Sequence, residues 1–314
     1  SPMSFVNQVA NVYPLYAHDS EGNIIYDALG NKVYNYYNAT QFDFNPVALA
    51  EMDIYNTKTY RMLTGASFEF TFLKDFKITT KPSVDYLHLY ETRYYNPLHG
   101  NGDAVDGRSN KIMHKDVRFN ITNTLNWSRT FGQHNINALL AHEMAAYKYD
   151  YMEAGGVGFP FPGNDNLIAA GTPTGISSYI TEKNIVSYFT RLNYDLANKY
   201  YISLGLRRDG SSVFGSNYKY GTFYSVGASW RISEETFLKN ITWINNLKLR
   251  TSYGTSGNDQ IGRYDALGLF GLGPAYDGVA GLTYTQLANP KLRWEKTINF
   301  NVGLEFGLFK KFTG

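Results

Sequence analysis

Six histidines (His18, His88, His99, His114, His134 and His142) are the residues best suited to hold a metal, yet their intervals match no metal-ligand spacing. No Gly-x-Ser-x-Gly elbow, His-Glu-x-x-His pair or phosphate-cradling loop occurs. The adjacent acids Glu234-Glu235 fit a helix N-terminus, where the dipole favours negative charge, more simply than a catalytic carboxylate pair. No catalytic residue, metal site or cofactor is therefore expected, and the chain is not read as an enzyme. The segment Asn101-Gly102-Asp103-Ala104-Val105-Asp106-Gly107 is rich in oxygen ligands but departs from the EF-hand spacing. A solvated loop is its default reading and Ca²⁺ binding the lesser alternative. The better contact candidates are aromatic residues in expected loops: Tyr94, Tyr95, Phe159, Phe161, Tyr276 and Tyr284. Flat sugar faces and peptide side chains pack on exposed rings, while neighbouring Asn and Asp offer hydrogen bonds. The competing reading is that these rings pack loops against each other or against a partner.

The elements that must position these residues follow from composition and periodicity. Of 314 residues only 18% are charged and 16% are aromatic, with 27 Tyr and 20 Phe. The mean hydropathy is nevertheless negative, at −0.34. Many rings and few charges without an apolar average fit strands whose lipid-facing and polar residues alternate. No apolar run approaches the ~18 residues of a spanning helix, which excludes a helical membrane protein. A net charge of +2 without a basic stripe gives no reason to expect nucleic acid. With no cysteine there is neither a disulfide framework nor thiol chemistry. The opening residues SPMSF carry no signal-peptide pattern, so an exported protein would begin upstream of them.

Period-2 alternation recurs along the chain. From residue 294 to 308 one row reads Trp294, Ile298, Phe300, Val302, Leu304, Phe306, Leu308, interrupted by Lys296; the other carries Thr297, Asn299, Asn301 and Glu305. Because successive side chains point to opposite faces, one side is apolar and the other polar. An ionised Glu305 belongs in a wet lumen, which places the Ile298–Phe306 row towards lipid. The same split appears in Tyr224–Ile232 and Val186–Tyr194, and further strands are expected at about 62–73, 76–89, 115–129, 134–149, 199–208 and 247–254. Asn123 spoils the apolar row of its strand. Tight links at Lys74-Asp75, Thr130–Gln133, Asp195–Lys199 and after Ile232 alternate with long ones at 90–114, 150–183, 209–220 and 255–292. In an up-and-down meander alternate connections share a side, as in barrels with short periplasmic turns and long extracellular loops. Ser233–Leu238 is expected to form a turn or two of helix. Residues 1–60 read as an extracellular loop region with a partial strand, turning at Glu21-Gly22-Asn23 and Leu29-Gly30-Asn31. Trp127, Tyr194, Tyr200, Tyr224, Trp230, Tyr253 and Trp294 fall near strand ends, as interfacial girdles do. Arg207-Arg208-Asp209-Gly210 reads as an ion pair and turn at a barrel rim.

With these strands placed, several stretches resemble the SusC/RagA-type TonB-dependent transporters of Bacteroidetes. They are RLNYDLANKYYISLGLRRDGSSVFG (191–215), YSVGASWRISEETFLKN (224–240), LKLRTSYGTSGNDQIGRYDALG (247–268), NPKLRWEKTINFNVGLEFGLF (289–309) and SFVNQVANVYPLYAHDSEGNIIYD (4–27). The resemblance implies an all-β chain that is part of a large up-and-down antiparallel transmembrane barrel, about 22 strands in the family and about nine here. An odd set of nine cannot close as an ordinary bacterial barrel, so residues 61–314 are read as its central strands, with the plug domain and C-terminal strands lying outside this sequence. It further implies active import of an oligosaccharide or oligopeptide across the outer membrane. The implied partners are a SusD-type lipoprotein lid and TonB, the latter through a segment not in this chain. The alternatives are a passive porin, distinguished by the lack of an upstream plug, and a secreted β-rich glycan-binding protein, distinguished by solubility without detergent.

Overall fold

The computed structural model describes residues 13–36, 45–238, 240–309 and 311–314. Among them the chain forms strands β1 (Ile54–Gly65), β2 (Phe68–Phe72), β3 (Phe76–Tyr95), β4 (Arg108–Phe131), β5 (His134–Val157), β6 (Thr172–Leu196), β7 (Tyr200–Ser211), β8 (Tyr220–Arg231), β9 (Ile244–Asn258), β10 (Leu269–Tyr276), β11 (Val279–Gln286), β12 (Glu295–Leu308) and β13 (Phe312–Thr313). One eleven-stranded sheet has the order β1-β3-β4-β5-β6-β7-β8-β9-β12-β13, with β2 also on β3, and β10 and β11 form a separate hairpin. The nearly sequential order is that of an up-and-down meander. The chain divides into two compact units: unit 1 holds residues 1–62, 86–116 and 149–180, and unit 2 holds 63–85, 117–148 and 181–314.

Unit 2 realises the two-faced pattern. Leu192 of β6 pairs with Leu204 of β7, Leu204 with Val226 of β8, and Val226 with Tyr253 of β9, which pairs with Phe300 of β12. Val302 likewise lies opposite Thr251, and Leu304 opposite Leu249. Paired residues project from the same face, so these side chains make one apolar surface across five strands. It is open: Ile298, Phe300 and Val302 are 65%, 69% and 64% exposed. The other face carries Ser203, Ser225, Gly227, Ser229, Arg250, Ser252, Asn301 and Glu305. There Glu305 lies 3.0 Å from Arg250 and 3.9 Å from Lys248. The rows of β12 thus separate as the alternation requires.

The tight links follow local backbone chemistry. Leu73 and Lys74, and Ala197 and Asn198, take positive φ in succession, as do the central residues of the hairpin turns that match strand twist. The expected single strand 62–73 is split into β1 and β2 at Ala66 and Ser67. Opposite them Pro82 accepts from Ala66 N at 3.1 Å but has no N–H to return. The helix expected at Ser233–Leu238 is only a 3-10 turn, Ile232–Glu234. Its acids do not act as a helix cap. Glu235 instead accepts from Tyr200 Oη at 2.5 Å, Trp230 Nε1 at 3.0 Å and Lys199 Nζ at 3.3 Å, tying the β6–β7 turn to the end of β8. These bonds, Tyr200 foremost, hold its carboxyl below the usual range.

Unit 1 starts with a tandem repeat. In Asp19-Ser20-Glu21-Gly22-Asn23 the Asp carboxylate accepts from the N–H of residues 21 and 23, each at 2.9 Å. Asp27-Ala28-Leu29-Gly30-Asn31 repeats this at 2.9 and 2.8 Å. Gly22 and Gly30 supply the positive φ at the same place in each turn. Ala17 N donates to Val33 O, Val33 N to Ile25 O, and Ile25 N to Ala17 O, closing a ring of three bonds at 2.9–3.0 Å. Residues 4–12 of the 4–27 resemblance fall outside the described residues, as do 37–44. A helix the sequence reading did not place, α1 (Pro46–Met52), follows. Asn45 caps it with Oδ1 while its Nδ2 donates to Leu15 O and Asn35 O, both at 3.0 Å.

Candidate functional site

Strand lengths decide where the candidate residues lie. The long connections are shorter than expected, because β3 to β6 run on for 20–25 residues each. The stretches 90–114 and 150–183 contract to 96–107 and 158–171, and 209–220 to 212–219. Tyr94 and Tyr95 therefore end β3 instead of standing in a loop.

Tyr94 is fully buried and Phe159 nearly so. Their rings meet edge-on at 5.6 Å and 88°, and Gly163 N donates to Tyr94 Oη at 3.2 Å. In this arrangement they pack the 158–171 loop onto the strand end, and no ligand can lie on them. Tyr95 is half-buried, edge-on to Tyr55 at 5.5 Å. Phe161 is exposed. Tyr276 ends β10 at 87% exposure, and Tyr284 of β11 stands edge-on to Phe270 at 5.0 Å. Of the six candidates, then, the structure joins only Tyr94 and Phe159.

Beneath them lies a polar hub. Asn96, fully buried, receives its own anchor from Asp53: Oδ1 of Asp53 accepts from Asn96 N at 2.9 Å and from Nδ2 at 2.7 Å. Asn96 Oδ1 in turn accepts from Leu98 N at 3.0 Å and His99 N at 3.2 Å, and lies 3.1 Å from His99 Nδ1. The His99 ring stacks on Tyr36 at 4.4 Å, and burial pushes its pKa down. The oxygen-rich segment considered for Ca²⁺ is a 3-10 turn, Gly100–Val105, in which Gly102 packs against the Asn96 and Tyr95 carbonyls so closely that a Cβ would overlap them. Among the described residues no group of three or more His, Asp or Glu is placed to share a metal.

The sequence reading missed a second aromatic group in unit 1. Tyr149 and Tyr151 of β5 flank Tyr179 of β6 at 6.1 and 4.9 Å, and His114 of β4 meets both β5 rings edge-on. Tyr149 Oη lies 2.8 Å from His114 Nδ1. Glu153 accepts from Tyr151 Oη at 2.5 Å and from Asn110 Nδ2 at 3.0 Å. Its signal was available: Tyr147, Tyr149, Tyr151 and Glu153 alternate with other residues, but half the run lay in an expected loop.

In unit 2 the polar face encloses a concavity of about 890 Å³, lined by Asn137, Asn193, Ser203, Lys248, Arg250 and Asn301 among others. Nearby, the Arg-Asp-Gly-Ser-Ser stretch has a packing role. Arg207 Nε donates to both Asp209 oxygens at 2.7 and 2.9 Å, which fits the expected ion pair, but residues 207–211 continue β7 and make no turn. Ser211 Oγ donates to Asp259, which also holds Lys183 at 2.8 Å. Val213 and Phe214 are buried, and the ring of Phe214 meets Trp294 at 5.1 Å. Trp294, assigned above to the girdle and to the apolar row of its strand, precedes β12 and packs against Phe214 and, at 5.5 Å, Phe223. Other rings of the expected girdle lie at the short-turn end, Trp127 beside Phe76, Tyr194 on His134 and Tyr200 on Trp230.

A wide antiparallel meander with an open apolar surface on one face and a polar, concave surface on the other is the wall of a large transmembrane β-barrel. The chain belongs to the family described as TonB dependent receptor-like, beta-barrel, which it matches over residues 5–314. A TonB-dependent receptor of Formosa agariphila is 30% identical over 85% of this chain and 26% of its own length. The TonB-dependent receptor SusC of Bacteroides thetaiotaomicron is 28% identical over 84% of this chain and 27% of its own. A solved structure of the RagAB peptide transporter superposes with a TM-score of 0.80 at 28% identity, covering 90% of this chain and 32% of that one. The chain thus spans about a quarter to a third of these relatives. It is of SusC/RagA type, a family of outer-membrane receptors and transporters.

Proposed function

We propose that the protein containing this chain imports a bulky nutrient, an oligosaccharide before an oligopeptide, across the bacterial outer membrane. The observation that supports this most is the two-faced sheet of unit 2. Its apolar row is suited to lipid, and its polar face, with Arg250, Lys248 and Glu305, to a wet passage. Along β7 and β8 the ring pair Tyr200–Trp230 is followed about six residues later by Tyr224, about 20 Å along the strand. Such spacing suits aromatic girdles on either side of an apolar band. In this reading the short turns lie in the periplasm and residues 212–219 and 259–294 outside the cell. A SusD-type lipoprotein closes the outer mouth, and TonB pulls through a segment not in this chain.

The test is uptake by cells carrying the full-length protein. Import of a labelled oligosaccharide pool should stop when TonB is deleted or the proton-motive force collapses, and a lipoprotein should copurify in mild detergent at near-equal amounts. Uptake indifferent to TonB would point to a passive porin instead.

A further inference from the structure

We infer that the Tyr149–Tyr151–Tyr179 group, with Asn110, His114 and Glu153 beside it, is a contact site for a neutral pyranose chain; this rests on the import reading above and names its substrate class. Three rings from two adjacent strands stand together, and Tyr179 is 48% exposed. They are held before any ligand arrives. Tyr151 is fixed by its bond to Glu153 and by its 24° stack on Tyr179, and Tyr149 is fixed by His114. Rings ordered in advance lose little freedom when a ligand settles on them. A pyranose offers apolar C–H faces to such rings and hydroxyls to the groups at their edge. Here the carboxylate of Glu153 and the amide of Asn110 supply those edge groups.

Charge narrows the class. The carboxylate of Glu153 stands at the edge of the rings, and the guanidinium of Arg93 is already held by Glu91. A sulfated or uronate chain would meet net repulsion here, and a neutral one would not. The hydroxyls of Tyr149 and Tyr151 are engaged with His114 and Glu153, which leaves the ring faces as the main attraction and suits sugar better than peptide backbone.

The experiment uses the full-length protein in detergent on an array of neutral hexasaccharides (β-1,4-glucan, β-1,3-glucan, α-1,4-glucan, β-1,4-mannan), sulfated and uronate hexasaccharides, and mixed-sequence hexapeptides. At least one neutral glycan should bind, at least tenfold more weakly in Tyr179→Ala and Tyr151→Ala and within about twofold in Tyr179→Phe, which keeps the ring. Should Tyr151→Ala fail to reach the heat-modifiable folded form, Tyr179→Ala decides alone. No glycan binding, preference for anionic glycans or peptides, or unchanged binding in Tyr179→Ala would each overturn the inference. TonB-dependent uptake of any probe alongside such a result leaves the import reading standing. Uptake independent of TonB sinks that reading whatever the array shows.

Discussion

On β12 the rings and branched chains of Phe300 and Val302 lie open, while on β3 Tyr94 has no exposed surface at all. Both strands belong to one sheet, so alternation alone does not decide what a side chain meets. Unit 2 keeps its apolar row outside and its serines, asparagines and ion pairs on the other face. It is a wall that needs an apolar solvent to complete it. Unit 1 brings its own interior, and nearly half of its buried side chains are polar: Asn45, Asn96, His99 and Ser109 are buried, as are Ala48, Leu49, Tyr94, Ile112 and Phe159. The first region is stabilised by what surrounds it, the second by internal bonds, with the buried Nε2 atoms of His88 and His99 left without a hydrogen-bond partner among the described residues.

The largest effect that tests this contrast comes from Asn96→Leu. It strips a partner from the N–H of Leu98, the N–H of His99 and the Asp53 carboxylate, each worth about 1–3 kcal/mol when left buried, or on the order of 5 kcal/mol together. Protease should then cut the 97–107 segment while the SDS-resistant barrel form survives. If the segment stays protected, unit 1 does not depend on its hub.

Next in size is Val302→Arg, which should cost about 2–4 kcal/mol on folding into lipid vesicles if it lies near the bilayer midplane, whereas Asn301→Arg should cost little. A larger loss for Asn301→Arg would mean that the faces of β12 are reversed.

The smaller effects are in pH. Glu235, whose folded pKa is depressed, contributes stability that is complete above its unfolded value of 4.5 and is lost as pH falls through the folded one. Acid unfolding of the short-turn end should therefore begin below that value, and Glu235→Gln should flatten it while lowering stability at neutral pH. His99, also depressed, sets a higher window. Its neutral form is the one that fits, so unit 1 should begin to loosen as pH falls below 6.5. Amide exchange in 96–107 at pH 7.5 and 5 reads this directly, and His99→Gln should remove the difference. An unchanged difference would assign the sensitivity to another group.

These same two regions explain what could be read from the sequence. In unit 2, Ile298, Phe300 and Val302 alternate with Thr297, Asn299 and Asn301 because lipid and water impose opposite demands on the two faces, and that demand is written in residue type. The strand faces, their neighbours and the tight turns were legible for that reason. Beyond residue 89 of β3 or 149 of β5 the alternation of apolar and polar rows lapses. Strand continuation such as Thr92–Tyr95 or Asp150–Val157 then looks like loop. The hairpin β10–β11 was hidden similarly, since its glycines Gly271, Gly273 and Gly281 read as turn signals although they lie within paired strands. The helix α1 did leave a mark in Asn45-Pro46, a cap followed by a residue suited to the first helical turn. Burial of Tyr94 and Phe159 could not be foreseen, because it depends on a loop returning to the strand 60 and more residues later.

The ring formed by Ala17, Ile25 and Val33 also bears on how such a surface can change over generations. Its members are eight residues apart, and each turn between them is closed by its own Asp and Asn. Losing or gaining a few residues inside one turn would break a carboxylate clasp and shift a ring member out of reach. Duplicating a whole turn leaves every clasp intact and adds one more donor and acceptor in step. Heritable length variation in this stretch should therefore come in steps of eight residues, a quantum that comparison of this stretch among sister strains would reveal.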